Sequence, residues 1–246
     1  MKPRRLDVEL VARGLAESRE QAQRLILAGE VWVDKQRWDK ASKLCAATAV
    51  IEVKGGDRYV SRGGHKLEGA LQGFSLDVTG WRCLDVGAST GGFTDCLLQH
   101  GARAVVAVDV GHGQLHWKLR QDPRVQVHEG INARDLAAAA KEHFPGAFDF
   151  IVADVSFISL RLVLPPAFDL LCSGGKVCAL IKPQFEAGRA EVGKGGIVRD
   201  AATRERVVRD LRRWAEDFPV TTVGVLPSPL PGRDGNEEFL WLLQKK

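Results

Sequence analysis

Residues 82–93 read RCLDVGASTGGF: an apolar run, an acid near its end, then a loop of small residues and glycines that leads into the helical stretch TDCLLQHG. A strand that ends in such a loop and enters a helix opens a β-α unit, and the pattern repeats. AVVAVDV (104–110), VQVHEG (125–130), FDFIVAD (148–154) and KVCALIK (176–182) are further short apolar runs. Segments of helical composition, among them ARDLAAAAKEHF (133–144) and SLRLVLPPAFDLL (159–171), lie between them. Alternation of this kind predicts an α/β fold, a mostly parallel Rossmann-like sheet with helices on both faces. VTTVGV (220–225) and EEFLWLL (237–243) follow the helix TRERVVRDLRRWAEDF and lie close together, which predicts an antiparallel last strand.

Length and composition fit this reading. The 246 residues are 45% hydrophobic and 27% charged, enough for one large domain plus a small one and unlike a disordered tail. The net charge of +4 permits a polyanionic partner without demanding one. Cys45, Cys83, Cys96, Cys172 and Cys178 are scattered without CxxC spacing, and MKPRRLDVEL lacks the apolar core of a signal peptide, so a cytoplasmic protein with reduced thiols is expected. No window approaches the roughly 18 apolar residues of a membrane span. The histidines, His65, His112 and His116 among them, show no ligand spacing with cysteine or acid, so no metal is assigned.

The first 60 residues differ in texture. They read as two short helices and a small β element, with Ser18 as N-cap of the second helix, Leu25, Ile26 and Leu27 as its apolar side and Gly29 as its stop. VWVDKQRW (31–38) is a strand, a turn and a second strand start, and AVIEV (49–53) another strand. Twelve Lys and Arg against nine Asp and Glu place most of the excess positive charge here. RLDVELVARGLAESREQAQRLILAGEVWVD (5–34) resembles the alpha-L RNA-binding motif of small-subunit ribosomal protein four. That resemblance implies a small α+β RNA-binding domain at 1–60, with Arg19, Arg24 and Lys35 on phosphates. GGDRYVSRGGHK (55–66), glycine-rich and poor in bulk, reads as a linker before a second domain at 61–246.

In open α/β sheets the ligand sits beyond the carboxyl ends of the strands. The loop after the first strand, Gly87, Ala88, Ser89, Thr90, Gly91, Gly92 and Phe93, has the spacing G-x-x-x-G-G, not the G-x-G-x-x-G of a dinucleotide site. Asp85 would repel a diphosphate there and attract the ammonium and sulfonium charges of S-adenosylmethionine. Asp109, ending the second strand, is placed to accept hydrogen bonds from both ribose hydroxyls of an adenosine, and Asn132, after the third, to meet the adenine edge. NAD shares the ribose contact, so an oxidoreductase is a rival reading.

The fourth and fifth strands end in Asp154 and Lys182, one β-α-β unit apart, so an acid and a lysine face each other beside the cofactor. Asp154-Val155-Ser156-Phe157 lacks the two prolines that mark attack on an exocyclic base nitrogen, and neither Cys83 nor Cys178 occupies a strand mouth as a thiolate nucleophile would. A lysine base acting on a hydroxyl remains. A free lysine titrates near 10.4, so a base of this type needs desolvation or a neighbouring cation to shed its proton.

SRGGHKL (61–67), DVGASTGGFTD (85–95), DVSFISL (154–160) and KPQFEAGRAEVGKGGIVRD (182–200) resemble the TlyA family of FtsJ-like methyltransferases, and the likeness spans nearly the whole chain. It implies a Lys-Asp-Lys-Glu tetrad of Lys66, Asp154, Lys182 and Glu238, S-adenosylmethionine as cofactor, and 2'-O-ribose methylation of cytidine in ribosomal RNA or ribosomal subunits, with no membrane partner. Glu237 is adjacent to Glu238, and pleat alternation lets only one of them serve; Glu238, directly before the aromatic-apolar run, is chosen. AGRAEVGKGGIVRD (187–200) is too polar to pack and is expected to be a lid, with Arg189, Lys194 and Arg199 on phosphates. Pseudouridine synthases share the N-terminal module but not a β-α-β nucleotide fold. A membrane-active haemolysin, a label given to TlyA relatives, finds no spanning or strongly amphipathic segment. An RNA-binding protein with another S-adenosylmethionine-dependent activity is the remaining alternative.

Overall fold

A computed structural model describes residues 3–16, 18–27, 29–53, 58–232 and 235–246. The chain divides into two compact units, Met1–Arg58 and Tyr59–Lys246.

In the first unit β1 (Arg4–Arg5) leads into α1 (Leu6–Ala12), followed by α2 (Arg19–Leu27), β2 (Val31–Val33), β3 (Gln36–Arg37), β4 (Leu44–Cys45) and β5 (Ile51–Val53). Ser18 Oγ accepts the Gln21 N–H at 3.2 Å, capping α2, and Gly29, at φ +76°, ends it. Asp34 and Lys35 both take positive φ, which turns β2 tightly into β3. Strands β3, β2 and β5 form an antiparallel sheet, and β1 pairs with β4. The expected apolar side of α2 needs correcting: Ile26 is buried, but Leu27 is 83% exposed, and Ala22 takes its place in the core. Consecutive helical residues diverge by about 100°, so positions four apart share a face and positions one apart do not. Asp7, fully buried, binds the unit together: it accepts from Arg5 Nε and Nη2 at 3.0 Å and from Arg19 Nε and Gln23 Nε2 at 2.9 Å. These donors, Arg5 foremost, hold its carboxyl well below the usual range.

The second unit opens with α3 (Gly63–Gly73), β6 (Arg82–Val86), α4 (Gly92–Gln99), β7 (Ala104–Asp109), α5 (Trp117–Gln121), β8 (Val125–Glu129) and α6 (Leu136–His143). It continues with β9 (Phe148–Ala153), α7 (Leu160–Asp169), β10 (Leu171–Ile181), α8 (Pro183–Glu186), α9 (Ala201–Ala215), β11 (Val220–Pro227) and β12 (Phe239–Lys245). The sheet order is β11-β12-β10-β9-β6-β7-β8. Strands β8, β7, β6, β9 and β10 pair in parallel, and β12 alone runs antiparallel to both neighbours, β10 and β11.

Alternate residues of each central strand enter opposite cores. Leu84, Val106, Ile151, Ala179 and Leu243 pack with α6, α7 and α9. Cys83, Val105, Val152, Cys178 and Leu240 pack with α3 and α4. A sheet covered on both sides explains why its strands read as continuous apolar runs.

The expected linker at 55–66 is corrected in part. Residues 55–57 lie outside the described ones, but Tyr59 is 2% exposed, and Gly63 begins α3. The glycines serve close packing: a Cβ on Gly64 would lie 2.2 Å from the Tyr59 ring, and one on Gly92 would lie 2.3 Å from Ser61 Oγ. Glycine here lets the first turns of α3 and α4 meet.

Candidate active site

Strand β6 pairs with β7 on one side and β9 on the other, so the loops beyond their carboxyl ends diverge and open a crevice. A cleft of ≈ 580 Å³ lies there, lined among others by Gly87, Ser89, Asp109, Asn132, Asp154 and Phe157. Gly87, at φ +83°, permits the turn, and a Cβ on it would lie 2.8 Å from the Asp154 carbonyl oxygen. Asp109 accepts the N–H of Ser89 at 2.8 Å on one oxygen and of Gly111 at 2.7 Å on the other. Each oxygen can accept a further hydrogen bond and Asp109 lines the cleft, which suits a vicinal diol. Asn132 Oδ1 accepts from the Arg134 N–H at 3.0 Å, so this side chain also caps the short turn of helix that follows.

Other loop residues stand behind the cleft. Gly91 makes room for Leu119, Gly92 for Ser61, and Phe93 is buried in the core beside α3. Ala88 and Thr90 likewise do not line it. Asp85 is fully buried beneath the loop: Oδ2 accepts the Thr94 hydroxyl at 2.6 Å, while Oδ1 has no hydrogen-bond partner among the described residues. Burial pushes its carboxyl up to about 7; the Thr94 bond opposes this and the nearby Asp154 charge adds to it. An orphaned acceptor under a glycine-rich loop, beside a carboxylate placed for a diol, fits a cationic nucleoside such as S-adenosylmethionine better than a dinucleotide.

Two lysine–carboxylate pairs stand at the carboxyl edge of the sheet. Strand parity sends Asp85, Asp154, Lys182 and Glu238 toward the face covered by α3 and α4, since Ile181 and Phe239 pack on the other. Lys66, in the first turn of α3, meets Glu238 there: Nζ donates to Oε2 at 2.6 Å, and both groups are buried. Glu237, one residue away, turns to the opposite face and pairs with Arg204 of α9 at 3.1 Å. Lys182 lies 2.7 Å from Asp154 Oδ1, a charge contact off the hydrogen-bonding line, while its directed hydrogen bond goes to Ser156 Oγ at 2.9 Å. Residues 239 and 181 are register partners in β12 and β10, which sets Glu238 and Lys182 side by side at the sheet mouth. Cys83 and Cys178 are buried within their strands and burial pushes their thiols up to about 12, which disfavours the thiolate a nucleophile would need.

Several features escape the sequence reading. Phe157 is 91% exposed at the cleft, at φ +62°, a strained conformation for an aromatic residue, and its ring lies 5.2 Å from that of Phe185. The polar stretch 187–200, contrary to expectation, packs in part: Val198 is 1% exposed. Buried Asn236 accepts the Val198 N–H at 3.0 Å and donates to the Gly196 carbonyl at 2.9 Å, stapling the stretch to the loop before Glu238. Arg189, Lys194 and Arg199 stay exposed. In the first unit Arg19 is tied to Asp7, Arg24 Nε reaches the Glu20 carbonyl at 3.4 Å, and Lys35 is exposed in the hairpin turn.

Comparison with known proteins places the chain in a family. The FtsJ-like methyltransferase family matches residues 59–245 and the S4 domain residues 4–51. The 16S/23S rRNA (cytidine-2'-O)-methyltransferase TlyA of Mycobacterium tuberculosis is 51% identical over 241 residues, 97% of this chain and 89% of the relative. The chain belongs to the TlyA family. Hemolysin A of Brachyspira hyodysenteriae is 45% identical over 96% of this chain and 98% of its own. The solved structure of a hemolysin-named protein from Streptococcus thermophilus superposes with a TM-score of 0.76 at 46% identity, covering 100% of this chain and 90% of that one. The TlyA-family chain is thus an FtsJ-like methyltransferase carrying an S4 domain, as its motifs imply. Among the described residues no helix is long and apolar enough to cross a membrane.

Proposed function

We propose that this enzyme transfers a methyl group from S-adenosylmethionine to the 2'-hydroxyl of a cytidine in ribosomal RNA. The supporting observation is the pair of lysine–carboxylate contacts, Lys66–Glu238 buried and Lys182–Asp154 partly buried, on one face of the sheet mouth beside a cleft suited to adenosine. When bound, S-adenosylmethionine supplies an electrophilic methyl carbon on a leaving thioether. Lys182 Nζ takes the hydroxyl proton as the oxygen–carbon bond forms, with Asp154 balancing the ammonium that results. Lys66 and Glu238 hold each other and fix the ribose side of the site. Asp109 accepts from the cofactor's ribose, Asn132 meets its adenine, and the cofactor's positive charge favours the ionised form of Asp85 beneath the glycine loop. Phe157 offers a flat apolar face on which a nucleobase stacks.

Residues 1–60 bind the RNA and 61–246 catalyse. Arg19, Arg24 and Lys35 of the first unit and Arg189, Lys194 and Arg199 of the second meet phosphates, and a ribosomal substrate places the enzyme in the cytoplasm. The test is transfer of labelled methyl to isolated ribosomal subunits, followed by alkaline hydrolysis of the RNA. One labelled site with an alkali-resistant backbone bond is expected; label on a bond that alkali cleaves would place the methyl elsewhere than on the 2'-oxygen.

A further inference from the structure

Asp154 and Lys182 belong to two loops that leave neighbouring strands, and the register of β9 with β10 runs only to Ala153 and Ala179. Beyond it the backbone still ties Asp154 to β6, its N–H donating to the Val86 carbonyl at 3.1 Å, and Ile181 to β12, but the direct links between the two loops are made by side chains. The Lys182–Asp154 contact cannot hold the loops through a reaction cycle, because Lys182 gains and loses a charge within it. The same objection applies to the bond from Lys182 Nζ to Ser156 Oγ. The Phe157–Phe185 contact involves a ring that is almost wholly exposed.

Glu186 supplies a bridge independent of Lys182. It lies four residues after Lys182, and its carboxylate reaches across to the loop that carries Asp154. Oε2 accepts the Ser159 hydroxyl and Oε1 the Leu160 N–H, each at 2.7 Å. Leu160 is the first residue of α7, a ten-residue helix whose unpaired N–H groups and dipole favour a negative charge at that end. Ser159 Oγ in turn accepts the Arg161 N–H at 3.2 Å, so one carboxylate fastens a whole first turn. Burial pushes this carboxyl above the usual range, as expected of a group withdrawn from water. Glu186 does not line the cleft, and the hydrogen bonds of its carboxylate go to Ser159 and Leu160 rather than to Lys66 or Lys182.

We propose that Glu186 is a positioning residue that clamps the Asp154 loop to the Lys182 loop and so sets the geometry of proton removal; this rests on the catalytic reading of Lys182 and Asp154. The test compares full-length wild type with Glu186→Ala and Glu186→Gln. Three quantities are read: single-turnover methyl transfer to ribosomal subunits as a function of substrate, S-adenosylmethionine affinity by calorimetry, and amide exchange at Leu160. Glu186→Ala should slow the saturated rate by roughly 10- to 100-fold, the scale of a misplaced reacting group. The half-saturating substrate concentration and the cofactor affinity should stay within about twofold, while the Leu160 amide exchanges faster and those of Val152 and Ala179 do not. Glu186→Gln should recover most of the rate, because its carbonyl can accept from Leu160 and its amide can donate to Ser159. A Glu186→Ala enzyme at the wild-type rate, an equal loss of cofactor affinity, or a glutamine variant as slow as alanine would each overturn the clamp. Wild type that leaves ribose unmethylated would instead overturn the reading of the site, and Leu160 exchange would still report whether Glu186 holds the loops.

Discussion

Replacing Asp85 by asparagine should change how stability depends on pH, because the group is fully buried and holds its proton up to about 7 against an ordinary 3.8. In the unfolded chain the proton leaves near 3.8; in the native state it stays until about 7. Between those values the native state binds more protons, so the contribution to stability is full below about 4 and falls as pH rises to about 7. At about 1.36 kcal/mol per unit the whole shift amounts to roughly 4 kcal/mol, of which about 2–3 kcal/mol falls between pH 5 and 8. The Asp85→Asn side chain has no proton to release, and its carbonyl can still accept from Thr94 Oγ. Its amide inherits the unpartnered position of Oδ1, at a cost of about 1–3 kcal/mol that does not vary with pH. Urea unfolding of both proteins at pH 5, 6, 7 and 8 reads the difference directly. The variant should gain on wild type steadily as pH rises, whatever the offset at pH 5. Parallel profiles would mean that Asp85 is ionised in the native state throughout, and that water or a neighbouring donor satisfies Oδ1.

Lys182→Arg keeps the charge beside Asp154 but cannot accept a proton at neutral pH, so methyl transfer should fall at least about 100-fold with cofactor and RNA binding near normal; an arginine enzyme that keeps most of its single-turnover rate would leave Lys182 only a positioning charge. Asp109→Ala should weaken S-adenosylmethionine binding by roughly 1.5–3 kcal/mol per lost ribose hydrogen bond, measured by calorimetry, and an unchanged affinity would remove Asp109 from the cofactor site. Asp7→Asn should destabilise the first unit by about 1–3 kcal/mol at neutral pH, since Arg5 and Arg19 lose a buried acceptor but can turn back to water. Its depressed carboxyl stabilises fully above the unfolded value and ceases to do so as pH falls below it, so the gap between wild type and variant, read by urea unfolding, should close in acid.

What could be read from the sequence was whatever depends on local pattern. Apolar runs ending in charges located Asp109, Asp154 and Lys182 at strand mouths and Asp85 just inside its strand, and the two-residue period of a strand required Glu237 and Glu238 to face opposite ways, as they do toward Arg204 and Lys66; the choice of Glu238 rested on the family resemblance and on its place directly before the apolar run. Features set by distant neighbours were hidden. Gly63 and Gly64 look like a flexible joint until Tyr59 and the start of α4 are seen pressing on them. The stretch 187–200 looks unpackable until Asn236, some forty residues on, supplies its backbone partners. Phe157 reads as one more apolar residue in DVSFISL, and nothing local says that its backbone will twist it out over the cleft.

Strand β12 lies between β10 and β11 although it comes after both in the chain, and it delivers Glu238 to a lysine 172 positions earlier. Until it inserts, β10 has one open edge, β11 has no partner, and Lys66 has no counter-charge. Pairings across such sequence separations form late, after the entropy of closing a long loop has been met. Completion of the sheet and formation of the Lys66–Glu238 pair are therefore a single event. A partly folded or C-terminally clipped chain exposes two sticky strand edges that mark it for aggregation or removal.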